Sequence, residues 1–532
     1  MVNGGIKPGE KQETAGPMEE NMMERKVYFN CDVITMNQAA AAEAVLVNDG
    51  VIAAAGAEKD VLKAAGSGAE MIDLQGCTLA PSFIDAHSHI LSYAMTKSFI
   101  RLGGARSFEE LAERLRQGAD RARQRDGGWV IGFGYDENVL KEGRHPDRRL
   151  LDSVSGSVPV MATHASGHMG VFNTAALRAA GISGSGDGFL EETAFISACS
   201  HVPKPTAEEL AANMEAAQDT YLSYGITLAQ EGKAEAADLE FLKSFAESGR
   251  LKLDVAAYVN IGGAAQAREK YGGYFSGFRR GLRIGGYKIF LDGSPQARTA
   301  WMSRPYEGTE NNTGFRAHSD GEVEKFIELS VSDGVQLLAH CNGDMACGQF
   351  IRCWEKAGDN KRRPVMVHAQ TVDRVRQLPA MKKTGMIPSF FISHIYHWGD
   401  VHVGNLGERA ETISPAGTAE RLGMIYTFHT DAPVIEPDVM ECVWCAVNRT
   451  TSSGTVLGVD ERTGAYEALR AVTSNAAYQY FEEGSRGRID VGKRADLVVL
   501  SKNPLKTPPE RLRDIEVLAT VKDGKTVYRK KR

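Results

Sequence analysis

The chain has 532 residues, 42% of them hydrophobic and 24% charged, with a formal net charge of -6. That is the composition of a soluble globular protein with length enough for a large core, and nothing in the mild net acidity suggests nucleic acid or an anionic membrane. No run reaches the about 18 apolar residues of a membrane-spanning helix, and eight cysteines spread over such a length do not make a disulfide framework.

Residues 1–25 mix Gly, Pro, Glu and Lys without the apolar segment of a secretory signal, and read as a disordered tail; the expected compartment is the cytoplasm. Short strands follow at Lys26–Asn30, Ala44–Asn48, Val51–Gly56 and Met71–Leu74, with Asn48-Asp-Gly50 as a hairpin turn. The far end has the same character, in Gly487–Leu500, Ile515–Val521 and Lys525–Tyr528. Residues 26–80 and 482–532 are therefore expected to join into one small composite β-sandwich domain.

Between them, residues 81–481 alternate short apolar strands with helical spans such as Ser107–Ala119, Val323–Ser332 and Ala465–Thr473. Eight strand candidates occur: Phe83–His87, Gly225–Ala229, Leu253–Val259, Gly286–Leu291, Val335–His340, Val365–His368, Met386–Ile392 and Met424–Asp431. Eight β/α units predict an α/β fold, a (β/α)8 TIM-like barrel. The interval from His89 to Gly225 is too long for a βα loop. It predicts an insertion after barrel strand 1, at about 103–224, with its own strands at Gly128–Gly134 and Ser157–Thr163. Cys442-Val-Trp-Cys445 lacks a second pair at zinc-ribbon spacing and reads as two cysteines on a core helix.

Barrels of this kind carry their active sites at the C-terminal ends of the strands. There the chain places His87 and His89, then Lys288, His340, His368 and Asp431. His87 and His89 are two apart on a strand, so both rings reach the same side. Each group has an ordinary structural explanation taken alone: a hydrogen-bonded core histidine, a Lys288–Asp292 ion pair, an Asp431 helix cap. Polar groups in apolar runs are costly unless paired, and six of them at one mouth compensate one another if one or two divalent metals sit between them.

The ordered set of motifs resembles the amidohydrolase superfamily, in its amidohydrolase-3 branch of YtcJ-like proteins and N-substituted formamide deformylases. The residues that carry the resemblance are Pro81-Ser-Phe-Ile-Asp-Ala-His-Ser-His89, Gly134-Tyr-Asp-Glu-Asn138 with Glu142-Gly-Arg-His-Pro146, and Gly167-His168 with Asn173-Thr-Ala-Ala-Leu177. They continue with Lys288-Ile-Phe-Leu-Asp-Gly-Ser294, His340-Cys-Asn-Gly-Asp344, Val367-His-Ala-Gln370, Thr430-Asp-Ala-Pro433 and Gly492-Lys-Arg-Ala-Asp-Leu-Val498. The resemblance implies two divalent metal ions, usually zinc. His87, His89 and Asp431 would hold the more buried ion and His340 and His368 the second, with a carbon dioxide-derived carbamate on Lys288 bridging them. It also implies hydrolysis of a C–N bond in an amide, formamide or cyclic amide through a metal-bound hydroxide, with Asp431 as the catalytic proton carrier. A small-molecule substrate is the implied partner, with neither nucleic acid nor membrane, and homodimers are common among such barrels.

Three places depart from the branch. Ser82 stands where glycine is common, His429-Thr430 where Gly-Ser commonly precedes the aspartate, and Cys341-Asn342 within the strand-5 motif. No ligand is lost by these changes, but the pocket wall differs. After strand 7, Ser393–His402 is expected to be a loop over the mouth, where His394 and His397 contact substrate together with His168, and with His164 as a further candidate from the insertion. Other readings stay open: a deaminase or another hydrolase of the same fold, a non-catalytic regulatory or binding protein, or a single-metal site with Lys288 as an ammonium.

Overall fold

The computed structural model describes residues 1, 24–38, 41–123, 128–167, 169–184, 186–357 and 359–531. Most of the N-terminal tail and His168 lie outside them.

All eight expected barrel strands are present and parallel, each paired with the next in chain order. They are Phe83–Ile84, Ile226–Ala234, Asp254–Asn260, Leu282–Phe290, Gln336–Cys341, Val365–His368, Ile387–Phe390 and Thr427–Phe428. Strands buried on both faces read as continuous apolar runs, which is why the sequence exposed them. The first and last meet at their C-terminal ends. There the Asp431 N–H donates to the His87 carbonyl at 3.0 Å, and the His89 N–H donates to the Ala432 carbonyl at 2.8 Å. That closing seam brings the His-x-His motif against Asp431.

The floor of the barrel is packed with Ile84, Leu228, Tyr258, Leu338, Val365 and Val367, against Ala476 and Ala477 of the helix Ser474–Gln479 and Tyr480 that follows it. Helices cover the outside. Asp320–Ser332 and Ala207–Ser223 both begin with a capping box, Ser319 with Glu322 and Thr206 with Glu209. Met214, Tyr221 and Leu222 of the second bury in the main barrel core.

A separate five-stranded sheet stands between barrel strands 1 and 2. It comprises Ile100–Arg101, Val130–Tyr135, Val160–His164, Met169–Phe172 and Phe189–Glu191. Two further sheets come from the chain ends. One has Arg25–Phe29, Ala44–Asn48, Val51–Gly56 and Glu70–Asp73; the other combines Asp32–Val33 and Thr78–Pro81 with Leu497–Leu500, Val517–Lys522 and Lys525–Arg529. Tyr28, Val45 and Val47 of one sheet share a core with Leu79, Leu497 and Val521 of the other. In the hairpin between Asn48 and Val51, Asp49 and Gly50 have φ of 44° and 80°, the left-handed pair that such a two-residue turn needs.

The barrel is tied to the C-terminal strands by a buried ion cluster. Asp254, 2% exposed, takes Arg486 at 2.7 Å, Arg494 at 3.1 Å and Lys522 at 3.0 Å. Burial pushes its carboxyl up, but the three cations outweigh burial and hold it at about 2, below the ordinary 3.8. A depressed carboxylate stabilises the fold above its ordinary range, and that contribution is lost as pH falls through about 2. Asp254→Asn should therefore lower the urea midpoint at pH 7, by the equivalent of ~3–5 kcal/mol for a broken buried pair. The deficit should narrow at pH 3; an equal deficit at both pH values would contradict this assignment.

Candidate metal centre

Strand ends deliver the donors. His87 is 1% exposed, and its Nε2 lies 3.5 Å from Asp431 Oδ1. His89 Nε2 lies 3.6 Å from the same oxygen. One ligand atom from each of the three residues falls within 4.8 Å of the other two. Lys288 is fully buried, and its Nζ donates to His87 Nε2 at 3.1 Å. Asp292 is not its partner: that carboxylate accepts instead from the backbone N–H groups of Asn342 (3.0 Å), Gly343 (2.7 Å) and Trp301 (3.0 Å), clamping the loops after strands 4 and 5. His340 and His368 complete the cup, their ring centroids 4.6 Å apart and His368 5.9 Å from His87. Of the six, His87, His89 and Asp431 bring their ligand atoms together, and Lys288, His340 and His368 stand beside them at these distances.

Asp431 does not begin a helix; it sits in the turn at the closing seam, with φ of 55°. His368 likewise has φ of 72°. Left-handed backbone at non-glycine residues is strained and is held by the surroundings, which is common where a side chain has to be aimed.

The neighbours decide which ring nitrogen is free. Gln230 donates from its amide to the Ala86 carbonyl (3.0 Å) and the Tyr480 hydroxyl (2.8 Å). Its Oε1 therefore faces His87 and accepts from Nδ1–H at 2.5 Å. The proton is fixed on Nδ1, and the Nε2 lone pair points into the cup. For His89, Glu231 Oε1 faces Nδ1 at 3.5 Å, leaving Nε2 toward Asp431. Glu231 is itself anchored by the Leu91 N–H at 3.0 Å. Behind the seam, Asp85 accepts from the Thr430 hydroxyl (2.6 Å) and N–H (3.1 Å). Burial still pushes its carboxyl up to about 7.

Burial, reinforced by neighbouring cationic groups, keeps His87 and His368 neutral, far below the ordinary range. Burial also depresses the Lys288 amine to about 7, with Asp431 pulling the other way. Lone pairs on two imidazoles, an ionisable carboxylate and a lysine able to lose its proton are the donor set a divalent cation takes. His340 turns its Nδ1 to Asp292 Oδ1 at 3.3 Å, with Asn342 Nδ2 3.3 Å from its Nε2. The residues present fit a metal site.

Other candidates fall differently. The segment expected to be a loop after strand 7 is a helix, His394–Leu406. His394 is buried, its Nδ1 3.1 Å from His402 Nε2 with the rings stacked, and it packs on Phe391 and Trp398. His397, in the first turn, is half-buried and bonds to Glu441 at 2.8 Å. In the insertion, His164 Nε2 faces Glu137 at 2.9 Å and Asp136 at 3.9 Å. Burial opposes a charged His164, but the two carboxylates push it up to about 9. Its Nδ1 lies 3.0 Å from the Ser166 N–H and 2.9 Å from the Ser166 hydroxyl. One ligand atom from each of Asp136, Glu137 and His164 falls within 4.8 Å of the other two, so the insertion carries a second acid–imidazole cluster, in which the two carboxylates favour a charged His164.

Sequence reasoning missed Gln230, Glu231 and a role for His429. The first two end the apolar run of strand 2 as an adjacent polar pair, the same signature that marked the other strand ends. His429 stood out only as a departure from the branch.

A parallel barrel with imidazoles, an amine and a carboxylate gathered at its mouth is the architecture of metal-dependent hydrolytic enzymes. The amidohydrolase family model, in its Amidohydro_3 form, matches residues 70–528, and the chain belongs to that family. YtcJ of Bacillus subtilis (strain 168) is 26% identical over 520 residues, covering 92% of this chain and 96% of its own. The N-substituted formamide deformylase of Arthrobacter pascens is 26% identical over 551 residues, covering 94% and 98%. The crystal structure of an uncharacterized metal-dependent hydrolase from Pyrococcus horikoshii OT3 has a TM-score of 0.77 at 26% identity, covering 91% of this chain and 99% of that one.

Gly232 shows how tightly the rings are cradled. A Cβ there would lie 2.4 Å from His87 Cε1 and 3.1 Å from His89 Cε1. Gly232→Ala should displace both rings and weaken zinc binding by ~10-fold or more, as other disturbances of ligand-orienting groups do. Circular dichroism should be unchanged. Zinc binding equal to that of the parent, measured by chelator competition, would contradict the assignment.

Proposed function

We propose that this protein is a metal-dependent amidohydrolase that cleaves a C–N bond in an amide, formamide or cyclic amide. The observation that carries this reading is the approach of two imidazoles, His87 and His89, to one oxygen of Asp431, beside a buried Lys288 whose amine burial brings down to about 7. The likeness to an N-substituted formamide deformylase over nearly the whole chain supports the bond class.

His87, His89, Lys288, His340, His368 and Asp431 would hold two divalent ions, with zinc the first choice for a set of imidazoles and carboxylates. When bound, such ions acidify water and polarise a carbonyl oxygen. The chain's own groups do the rest. The neutral Lys288 amine adds to the carbon of carbon dioxide, forming an N–C bond and releasing one proton, and so becomes an anionic oxygen donor. Asp431 takes the proton of the attacking water as the new C–O bond forms. It delivers that proton to the amine nitrogen as the C–N bond breaks, so acid and amine leave in balance. Gln230 keeps the His87 proton on Nδ1, and Glu231 faces Nδ1 of His89 at 3.5 Å.

For the substrate side we assign His397, the more open of the two helix histidines, held by Glu441 near the start of the helix after strand 7. His394, buried against His402, shapes that wall from behind. His168 stays a candidate on the insertion side.

The test is a hydrolysis panel on zinc-loaded protein: N-substituted formamides, N-acyl amines, cyclic amides and, as the deaminase alternative, amino-substituted heterocycles. Turnover in one of the first three groups is expected. Release of ammonia from the heterocycles alone would redirect the reading to deamination. On the substrate found, Asp431→Asn should lower kcat by ~10²–10⁴-fold, the range for a positioned proton carrier, with the melting temperature little changed. Undiminished kcat would remove Asp431 from its role.

A further inference from the structure

One imidazole at the back of the cup has no part in the reading above. His429 is 1% exposed. Its Nε2 lies 3.2 Å from His368 Nδ1, and its Nδ1 lies 2.9 Å from the Ser389 hydroxyl. The ring stands edge-on to His87 and His368, at 5.3 Å and 5.1 Å between centroids, and against Phe391 at 5.3 Å. Burial, then the nearby Lys288 charge, keep it neutral.

We propose that His429, backed by Ser389, is a positioning residue that accepts the Nδ1 proton of His368 and so supports its metal-binding tautomer once an ion sits at Nε2. The atoms leave little freedom. Nδ1 of His368 is turned to His429, so Nε2 is the one ring nitrogen it can offer to an ion. That nitrogen has a lone pair only when the ring proton is on Nδ1.

Two proton arrangements satisfy the chain from Ser389 to His368. In the first, Ser389 donates to His429 Nδ1, His429 Nε2–H donates to His368 Nδ1, and the His368 proton occupies Nε2, masking the ligand atom. In the second, His368 Nδ1–H donates to His429 Nε2, and His429 Nδ1–H donates to Ser389 Oγ. Both contain the same number of protons, so passing from one to the other changes no net charge. The second exposes the His368 lone pair, and an ion at Nε2 locks it. Gln230, by contrast, fixes the His87 proton through a side-chain carbonyl that can only accept. His429 can run the relay in either sense, so the ion at Nε2 decides which arrangement holds and His429 supplies the acceptor that arrangement needs.

This rests on the reading of His368 as a ligand, and the experiment separates the two. Zinc stoichiometry and affinity are measured by chelator competition on metal-stripped parent, His429→Phe, His429→Gln and Ser389→Ala, with melting curves of the metal-free proteins alongside. The parent should bind two zinc ions. His429→Phe should weaken the more loosely held zinc by ~10–100-fold, the usual effect of losing a group that orients a ligating histidine. His429→Gln, whose side-chain carbonyl can accept from His368 Nδ1–H, should recover part of the loss, and Ser389→Ala should give a smaller loss without removing the ring. Should the Phe variant fail to fold, the Gln and Ala variants decide. Affinity and stoichiometry equal to the parent in every folded variant would overturn the assignment. A parent that binds no zinc would bring down the metal reading itself, and the tautomer role with it.

Discussion

Four imidazoles, a lysine amine and a carboxylate share a few ångströms of space at the mouth of this barrel, largely shut away from water, and everything around them answers that constraint. Left to themselves such groups destabilise a fold: each loses hydration, and an isolated buried charge is worse than a buried dipole. The protein meets part of the demand by keeping the groups neutral. His87 and His368 lose their protons readily, and the Lys288 amine is brought down to about 7. The remainder is a set of lone pairs aimed at one another, an arrangement that becomes favourable when a cation takes its place among them.

Aiming them is the work of the surrounding shell. Gln230 reaches His87 while bonding to the floor through Ala86 and Tyr480; Glu231 faces His89 while bonding to the helix that follows; His429 joins His368 to Ser389. These contacts cross between strands 1 and 2 and between strands 6, 7 and 8. The barrel closure and the alignment of the donors are therefore one structural fact, because the seam that joins the first strand to the last, through Asp431 and His87, also sets the distance between carboxylate and imidazole. The left-handed backbone at His368 and Asp431 marks the places where regular strand geometry yields to aiming.

Much of this was legible in the amino-acid order, for a physical reason. Parallel strands buried on both faces are short apolar runs, and a charged or imidazole side chain ending such a run has few explanations. That is how Lys288, His340, His368 and Asp431 declared themselves alongside the His-x-His motif. What stayed hidden depends on partners distant in the chain. His429 acquires its role only when Ser389 on the neighbouring strand and His368 beyond it are in place. The helix His394–Leu406 has weak helical propensity, with two glycines and several aromatic and β-branched residues, and its place after strand 7 favours a loop. It is held by burial of Ile395, Trp398, His402 and Leu406, a helical spacing present in the sequence but masked by the concentration of histidines.

The central claim is that the six donors hold ions together. X-ray diffraction from crystals of zinc-loaded protein, recorded at the zinc absorption edge, addresses it directly. Two anomalous peaks are expected, one among His87, His89 and Asp431 and one beside His340 and His368, with density for a carboxylated Lys288 between them. An empty cup in zinc-saturated crystals, or zinc bound only elsewhere, such as beside Glu137 and His164, would contradict it.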